Sequence, residues 1–159
     1  MNEGVLLDEA LKIVAADSKC RINLDIKSTA NLPEVDSLVE KHRLIDRVFY
    51  TGVFDDWVDT VKSISSIPYY LNHKISEKEA NDKKSALEII NKTKSLGAVG
   101  INSHYQNVTK EFVKTAHENG LLVSLWTVNK AKDMVRVIET EPDNITTKNP
   151  NILKLISQK

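Results

Sequence analysis

The stretch His117-Glu-Asn-Gly-Leu-Leu-Val-Ser-Leu-Trp-Thr-Val-Asn129 decides the fold more than any other part of the chain. Gly120 is the kind of residue at which a helix ends, and Val123 and Leu125 alternate with other residues as in a short strand, which we expect to carry both inward. Trp126 comes where that strand ends. Because β/α barrels keep their sites at the C-terminal ends of parallel strands, the segment predicts a site there.

The rest of the chain also alternates between strand-like segments and segments with apolar residues at helical spacing. Ser76 and Glu79 fit a capping box, which predicts one helix from there to about Leu96. Asn149 followed by Pro150 predicts the start of a terminal helix. The predicted strands are Arg21–Lys27, Arg47–Thr51, Ile67–Asn72, Ala98–Asn102, Leu121–Trp126 and Asn144–Thr147. About six such strand–helix units predict a parallel sheet with right-handed crossovers.

Two parallel architectures fit this alternation. A closed eight-stranded barrel usually takes about 250 residues, so a chain of 159 residues would lack about two units. A doubly wound open sheet fits the length, but the first strand–helix turn, from Ile26 to Pro33, contains no glycine. A nucleotide-binding fingerprint needs glycines in that turn. The residues alone leave both architectures open.

The length of 159 residues predicts a single domain over residues 1–159. The chain has 22 basic residues (Lys and Arg) and 22 acidic residues (Asp and Glu), so no charge imbalance favours a nucleic-acid partner. No apolar run reaches the roughly 20 residues of a membrane span. Cys20 is the only cysteine, so no internal disulfide can form. The N-terminus has no basic region before an apolar run, so a cytoplasmic location is expected for the chain as given, with a secreted parent left open.

Four segments resemble the glycerophosphodiester phosphodiesterase family, in order and at similar spacing. Leu6–Leu11 is similar to the family's Thr-Leu-x-Glu-x-Leu helix start, and Asn23–Lys27 to its Asn-x-Glu-x-Lys strand. Val108–Asn129 is the longest match and ends in Trp-Thr-Val-Asn. Pro142–Pro150 resembles the family's closing strand.

This resemblance implies a partial (β/α) barrel of about six parallel strand–helix units. It also implies a hydrolase of lipid and glycerol metabolism, which cleaves a glycerophosphodiester to glycerol 3-phosphate and an alcohol with a divalent cation, Ca or Mg. The family's His-Arg-Gly strand, Glu-x-Asp pair and second catalytic histidine precede the helix at which this chain begins. We therefore expect a C-terminal, truncated portion of the barrel that is inactive alone. The alternative is a catalytically degenerate binding or assembly module that keeps the fold.

Three residues carry the candidate site that the resemblance implies. Asp25 stands at a metal-ligand position where the family usually has the longer glutamate; the other interpretation is an ordinary acidic strand end. Lys27 would support the metal and the substrate phosphate, or form an ion pair with Asp25. Trp126 would wall the glycerol or alcohol moiety, or belong to the core. No residue is a confident catalytic candidate, because the family's catalytic histidines lie in the missing segment.

Other polar residues are given ordinary roles. His73 and His104 follow strands, from which they could reach the barrel mouth, but they match no catalytic histidine of the family and are interpreted as loop histidines. His117 is expected to pack on the barrel. Asn129 is expected to cap the next helix. Thr51-Gly52 stands where the family often has Ser-Phe, so an aromatic wall is expected to be lost.

A barrel that lacks two units would expose two parallel edges, near Ile22–Ile26 and near Asn144–Thr147. An apolar interior lined by Ile22, Leu24, Val123 and Leu125 would also be open. The chain is therefore expected to self-associate, or to pair with a chain that bears the missing units. Asp25, Lys27, Asn102 and Trp126 are expected near one rim.

Overall fold

The computed structural model describes residues 6–158. Six strands form one sheet in the order β1-β2-β3-β4-β5-β6, and the registered pairs β1–β2, β3–β4, β4–β5 and β5–β6 are parallel. A doubly wound sheet would place the first strand centrally, whereas here strand order follows chain order. The barrel-type topology is therefore confirmed. The strands are β1 Ile22–Asp25, β2 Val48–Val53, β3 Tyr69–Asn72, β4 Gly100–His104, β5 Leu122–Trp126 and β6 Asn144–Ile145.

Helices connect the strands, as the apolar spacing predicted. The single helix expected from Ser76 to Leu96 is wrong, because the chain breaks it at Asp82. Asp82 has an extended backbone, and its carboxylate accepts hydrogen bonds from the Ser85 backbone N–H at 2.8 Å and hydroxyl at 2.7 Å. The helices are α1 Leu7–Ala16, α2 Leu32–Lys41, α3 Val58–Ile64, α4 Glu77–Asn81, α5 Lys83–Ser95, α6 Lys110–Glu118, α7 Ala131–Ile138 and α8 Pro150–Ser157.

The chain folds into two compact units, Met1–Tyr69 and Tyr70–Lys159. In the first unit all six residues of β2 are buried, whereas no residue of β1 is. Asp36 of α2 accepts hydrogen bonds from the Tyr50 hydroxyl at 2.7 Å and the Ser65 hydroxyl at 2.9 Å. The prediction of a single domain stays a prediction.

The core of the second unit lies between its strands and its helices. The strands contribute Val123 and Leu125, which cluster with buried helix residues such as Phe112, Ala116 and Met134. The expectation that Val123 and Leu125 line an interior face is therefore wrong, since these side chains face the helices. Helices cover only a face that offers them apolar side chains, and here that is the face bearing these two residues.

The opposite face of the second unit carries a polar row. Asn72, Asn102, Ser124 and Asn144 are register partners across β3, β4, β5 and β6. The Asn102 amide donates to Asn72 Oδ1 at 2.7 Å, and the Asn144 amide donates to Ser124 Oγ at 2.9 Å. Side chains therefore pair with one another along this row, where an apolar surface was expected, and Asn102 Oδ1 is left without a partner among residues 6–158. Within residues 6–158, no helix has the length and apolar content that a membrane span requires.

Candidate functional site

The two candidate residues of the first unit lie together at the C-terminal end of β1. Asp25 closes the strand, and Lys27 Nζ lies 2.5 Å from Asp25 Oδ2. The side chains remain open to solvent, with exposed fractions of 50% for Asp25 and 80% for Lys27. The ion-pair interpretation of these residues is therefore correct in this structure. It remains compatible with a phosphate-binding role for Lys27, because an exposed ammonium keeps free donors.

A buried hydroxyl supports the other carboxylate oxygen. Thr51 is the register partner of Asp25 in β2 and is 2% exposed. Its Oγ1 donates to Asn23 Oδ1 at 2.8 Å and lies 3.3 Å from Asp25 Oδ1. Asn23, Thr51 and Asp25 thus form one polar chain across β1 and β2, which limits how the carboxylate can turn.

Gly52 fits this arrangement for a steric reason. Its φ is +82°, a left-handed conformation that glycine adopts without strain. A Cβ at this position would lie 2.8 Å from Asp25 Oδ1 and still closer to the Ile26 carbonyl oxygen. The sequence showed Gly52 only as a departure from the family's aromatic residue. The structure shows a close backbone approach beside Asp25 that no larger residue permits.

An open cavity of about 310 Å³ also borders Asp25 and Lys27. Its walls are mostly apolar, with Leu7 of α1, Leu24 of β1 and Leu32 of α2 among the lining residues. Such walls suit hydrocarbon, so a phosphate would be bound at the charged border of the cavity and not within it.

The described residues do not by themselves fit a divalent cation. Within residues 6–158, no three His, Cys, Asp or Glu side chains stand close enough to hold a metal ion. Asp25 is one carboxylate, already paired with an ammonium, whereas calcium takes six to eight oxygen ligands. The letters Glu-x-Asp do occur at Glu34-Val35-Asp36, but in α2, where Asp36 accepts the two hydroxyls described above.

In the second unit, Trp126 ends β5 and is half-buried. Its ring meets the His104 ring edge to face, with the centroids 5.4 Å apart. His104 is the register partner of Trp126 and ends β4. The Trp126 indole Nε1 is buried and has no hydrogen-bond partner among residues 6–158, and the same holds for Asn102 Oδ1. Trp126 is therefore neither an ordinary core residue nor a fully solvated one.

His104 is a residue of this strand end to which sequence reasoning gave no role. The predicted strand ended at Asn102, but β4 continues for two residues, so His104 occupies the C-terminal end and Asn102 lies one register row earlier. The sequence signal for a role of His104 was the aromatic residue that follows it. The Tyr105 ring centroid lies 4.8 Å from that of His104, and the Tyr105 hydroxyl donates to Asp133 at 3.0 Å.

The remaining histidines form pairs with carboxylates. His73 Nε2 lies 2.8 Å from Glu79, the residue that completes the predicted capping box with Ser76. His117 is 39% exposed in its side chain and lies 2.8 Å from Asp143 Oδ2, so the expectation that it packs on the barrel is wrong. Each of these imidazoles contacts a carboxylate at hydrogen-bond distance.

Asn129 was expected to cap the helix that follows it, and this is wrong. Lys130 is the N-cap of α7, and no side chain caps that helix. Asn129 Oδ1 instead accepts a hydrogen bond from the Lys148 backbone N–H at 2.9 Å, and the Asn149 amide donates to the Asn129 carbonyl at 2.9 Å. The Trp-Thr-Val-Asn segment is thereby joined to the segment that follows β6.

Residues 2–152 match the family described as the glycerophosphoryl diester phosphodiesterase family. The chain belongs to this family. No curated protein matches it significantly. Solved structures of family proteins share 13% to 23% identity with it, a level that shows the fold alone. Together with the strand order, they show that the chain has the fold of part of the family's (β/α) barrel.

Three solved structures illustrate this likeness. A protein from Silicibacter pomeroyi that carries the family name has 23% identity, covers 94% of this chain and 55% of its own, and has a TM-score of 0.73. An Oleispira antarctica phosphodiesterase, solved with the product sn-glycerol-3-phosphate, has 14% identity, coverage of 96% and 61%, and a TM-score of 0.65. The Thermotoga maritima glycerophosphodiester phosphodiesterase has 17% identity, coverage of 98% and 64%, and a TM-score of 0.64. The chain thus spans less than two thirds of the length of these proteins.

Proposed function

We propose that this chain is part of a phosphoric diester hydrolase that converts a glycerophosphodiester and water to glycerol 3-phosphate and an alcohol. The family match over residues 2–152 is the observation that carries the proposal. The Oleispira antarctica relative, whose product is sn-glycerol-3-phosphate, supports the same substrate class. The function would lie in lipid and glycerol metabolism.

In this proposal Lys27 binds a phosphate oxygen. Its ammonium is solvent-exposed, and Asp25 holds it at the end of β1 through a 2.5 Å contact. A carboxylate that already pairs with the lysine reduces the net positive charge available to an anion, so we propose that the phosphate competes with Asp25 for Lys27. Asp25 is the residue of this site that would offer a carboxylate to a divalent cation.

Trp126 would contact the glycerol or alcohol moiety. Its ring packs against the His104 ring, and its indole N–H has no partner among residues 6–158. A buried donor without a partner costs free energy, which a substrate hydroxyl would recover by accepting the hydrogen bond.

We also propose that the polypeptide of residues 1–159 alone does not hydrolyse glycerophosphodiesters. It contains no His-Arg-Gly segment, and the described carboxylates do not form a cluster that fits a metal ion. General acid–base catalysis and metal activation each contribute orders of magnitude to such reactions. Metal-dependent release of glycerol 3-phosphate by the purified polypeptide would contradict this part of the proposal.

The substrate class is tested by binding. Calorimetric titration with sn-glycerol 3-phosphate should give a measurable affinity that Lys27→Met weakens about tenfold or more, because a phosphate loses its ammonium contact. Lys62→Met removes another exposed lysine, in α3, and should leave the affinity unchanged. Equal effects of the two substitutions, or no binding by the parent polypeptide, would contradict the role of Lys27.

A second candidate is a degenerate binding or assembly module. The single, ion-paired carboxylate at the metal position favours it. A hybrid distinguishes the two: the polypeptide is fused to the part of the Silicibacter pomeroyi protein that lies outside the match. Metal-dependent hydrolysis of glycerophosphocholine by a folded hybrid, abolished by Lys27→Met, supports the hydrolase. A folded but inactive hybrid supports the module.

A further inference from the structure

An aromatic pair lies directly after the C-terminal end of β2. Phe54 follows the last strand residue with an extended backbone, and Trp57 ends the short helical turn Asp55–Trp57. The two rings are nearly perpendicular, with an interplanar angle of 88° and centroids 6.2 Å apart. Phe54 is 51% exposed, although burying an aromatic ring is strongly favourable. Because the sites of β/α barrels lie at this end of the strands, the pair stands where a ligand would bind.

The charge around the two rings is negative. Asp55 and Asp56 lie between them in the sequence and are exposed, and the next charged residue, Asp59, is also acidic. Residues 54–61 contain no lysine, arginine or histidine. The face of an aromatic ring attracts a cation, so the rings and the carboxylates favour the same sign of charge. A quaternary ammonium combines that charge with apolar methyl groups, which suit the ring surfaces.

The aromatic pair belongs to the same end of the sheet as Asp25 and Lys27. Asp25 closes β1, and its register partner is Thr51, three residues before Phe54. At about 3.3 Å per residue along β2 and about 4.8 Å between strands, the backbones of Asp25 and Phe54 lie roughly 10 Å apart. A small phosphodiester can span this distance. Since β2 is an inner strand in the sheet order, the position of the pair does not depend on either edge of the sheet.

We propose that Phe54 and Trp57 bind the alcohol moiety of the substrate and make the site prefer a quaternary ammonium alcohol, such as choline, over a neutral alcohol. This inference rests on the proposed function, since the phosphate of the same diester would lie at Lys27. The sequence indicated that an aromatic wall is lost at Thr51-Gly52, and Phe54 supplies an aromatic ring two residues later. The neighbouring carboxylates stabilise a cation between the rings, whereas a neutral alcohol gains nothing from their charge.

The preference between two diesters tests the proposal. Calorimetric titrations of the polypeptide of residues 1–159 with glycerophosphocholine and with glycerophosphoglycerol compare a cationic with a neutral alcohol. Glycerophosphocholine should bind about threefold to tenfold more tightly. Phe54→Leu and Asp56→Asn should each bring the ratio of the two dissociation constants toward one, and Phe54→Tyr, which keeps a ring, should retain most of the preference. Asp46→Asn neutralises an exposed acid at the opposite end of β2 and should leave the ratio unchanged.

A second pair of ligands separates this inference from the proposed function. Choline and its uncharged isostere, which has a tert-butyl group in place of the trimethylammonium group, carry no phosphate. Choline should bind more tightly than the isostere, and Phe54→Leu but not Lys27→Met should weaken its binding.

Equal affinities for the two diesters, or a preference that Phe54→Leu and Asp56→Asn leave intact, would overturn the inference even where Lys27→Met weakens both diesters. Choline binding that Phe54→Leu weakens, with no effect of Lys27→Met on either diester, would support the aromatic site and contradict the phosphate site. Absence of binding by choline and by both diesters would overturn both.

Discussion

Gly52 lies so close to the Asp25 carboxylate that a methyl group added to Gly52 would collide with that carboxylate. A Cβ built on Gly52 lies 2.8 Å from Asp25 Oδ1, and the glycine's φ of +82° is unfavourable for any other residue. The residue beside the candidate ligand thus sets how near β2 can come to the end of β1. The first prediction follows from this contact.

Gly52→Ala should destabilise the chain by more than about 3 kcal/mol, because it combines left-handed strain with overlap against the Ile26 backbone. Gly120→Ala is the matched control. Gly120 has a φ of +77° but open space around its Cβ, so only the strain of about 1 kcal/mol is expected. Urea unfolding of the two variants measures both, and equal losses would show that the close approach at Gly52 is unimportant.

Asp8 should make stability depend on pH in the acid range. Lys12, His42 and Lys41 hydrogen-bond its carboxylate and hold its pKa well below the usual 3.8. A lowered pKa means that the contribution is complete above about pH 4 and is lost as the pH falls through the folded-state value. Asp8→Asn should lower Tm at pH 7 but should differ less from the parent at pH 2.

Thermal melts of parent and Asp8→Asn across that range measure the difference between their Tm values. Glu9→Gln is the control, since it neutralises the neighbouring acidic residue of the same helical turn. A Tm difference for Asp8→Asn that stays constant from pH 7 to pH 2 would contradict the assignment.

Asp143 should contribute more to stability than its position near the surface indicates. Its Oδ2 accepts the Val123 backbone N–H at 2.7 Å and lies 2.8 Å from His117 Nε2. Asp143→Ala would leave the N–H at the start of β5 without its partner, at a cost of about 1–3 kcal/mol.

Glu141→Ala is the control for Asp143→Ala, because Glu141 pairs with Lys110 between exposed side chains and such pairs are worth at most about 1 kcal/mol. Guanidinium unfolding should rank Asp143→Ala as clearly more destabilising. The reverse order would show that the backbone N–H finds another acceptor.

Trp126→Phe should be tolerated far better than Trp126→Ala. Phenylalanine keeps an aromatic ring in contact with His104. It lacks the indole N–H, which has no partner among residues 6–158. We expect Trp126→Ala to cost about 2–4 kcal/mol and Trp126→Phe less than half of that. Calorimetric melting measures both. Comparable losses would show that the indole nitrogen is hydrogen-bonded in solution.

The sequence predicted the elements that depend on local pattern. Alternating apolar residues located the six strands, and the spacing of Ser76 and Glu79 predicted a capping box that the structure contains. The Trp-Thr-Val-Asn segment ending at Asn129 indicated the family. These features depend on neighbouring residues alone, so they can be recognised without the fold.

The strand ends and the contacts of the site residues were less predictable. The predicted strand stopped at Asn102, so His104 was assigned to a loop although it packs against Trp126. Asn129 was assigned to a helix cap. Its Oδ1 instead accepts a hydrogen bond from the backbone N–H of Lys148, 19 residues later in the chain. Such partners are distant in sequence, and no local preference specifies them.

The sequence by itself determined that this protein consists of parallel strands joined by helices, because each strand is followed by a helix that must cross back over the sheet. Only the tertiary structure decided which face of those strands packs against the helices and which face carries the polar row. Alternation places Val123 and Leu125 on one face of the sheet. It does not say whether helices cover that face or the opposite face, which carries Asn102 and Ser124. Helix packing makes that choice, because burying apolar side chains under helices is the larger gain and the polar side chains can pair with one another on the remaining face.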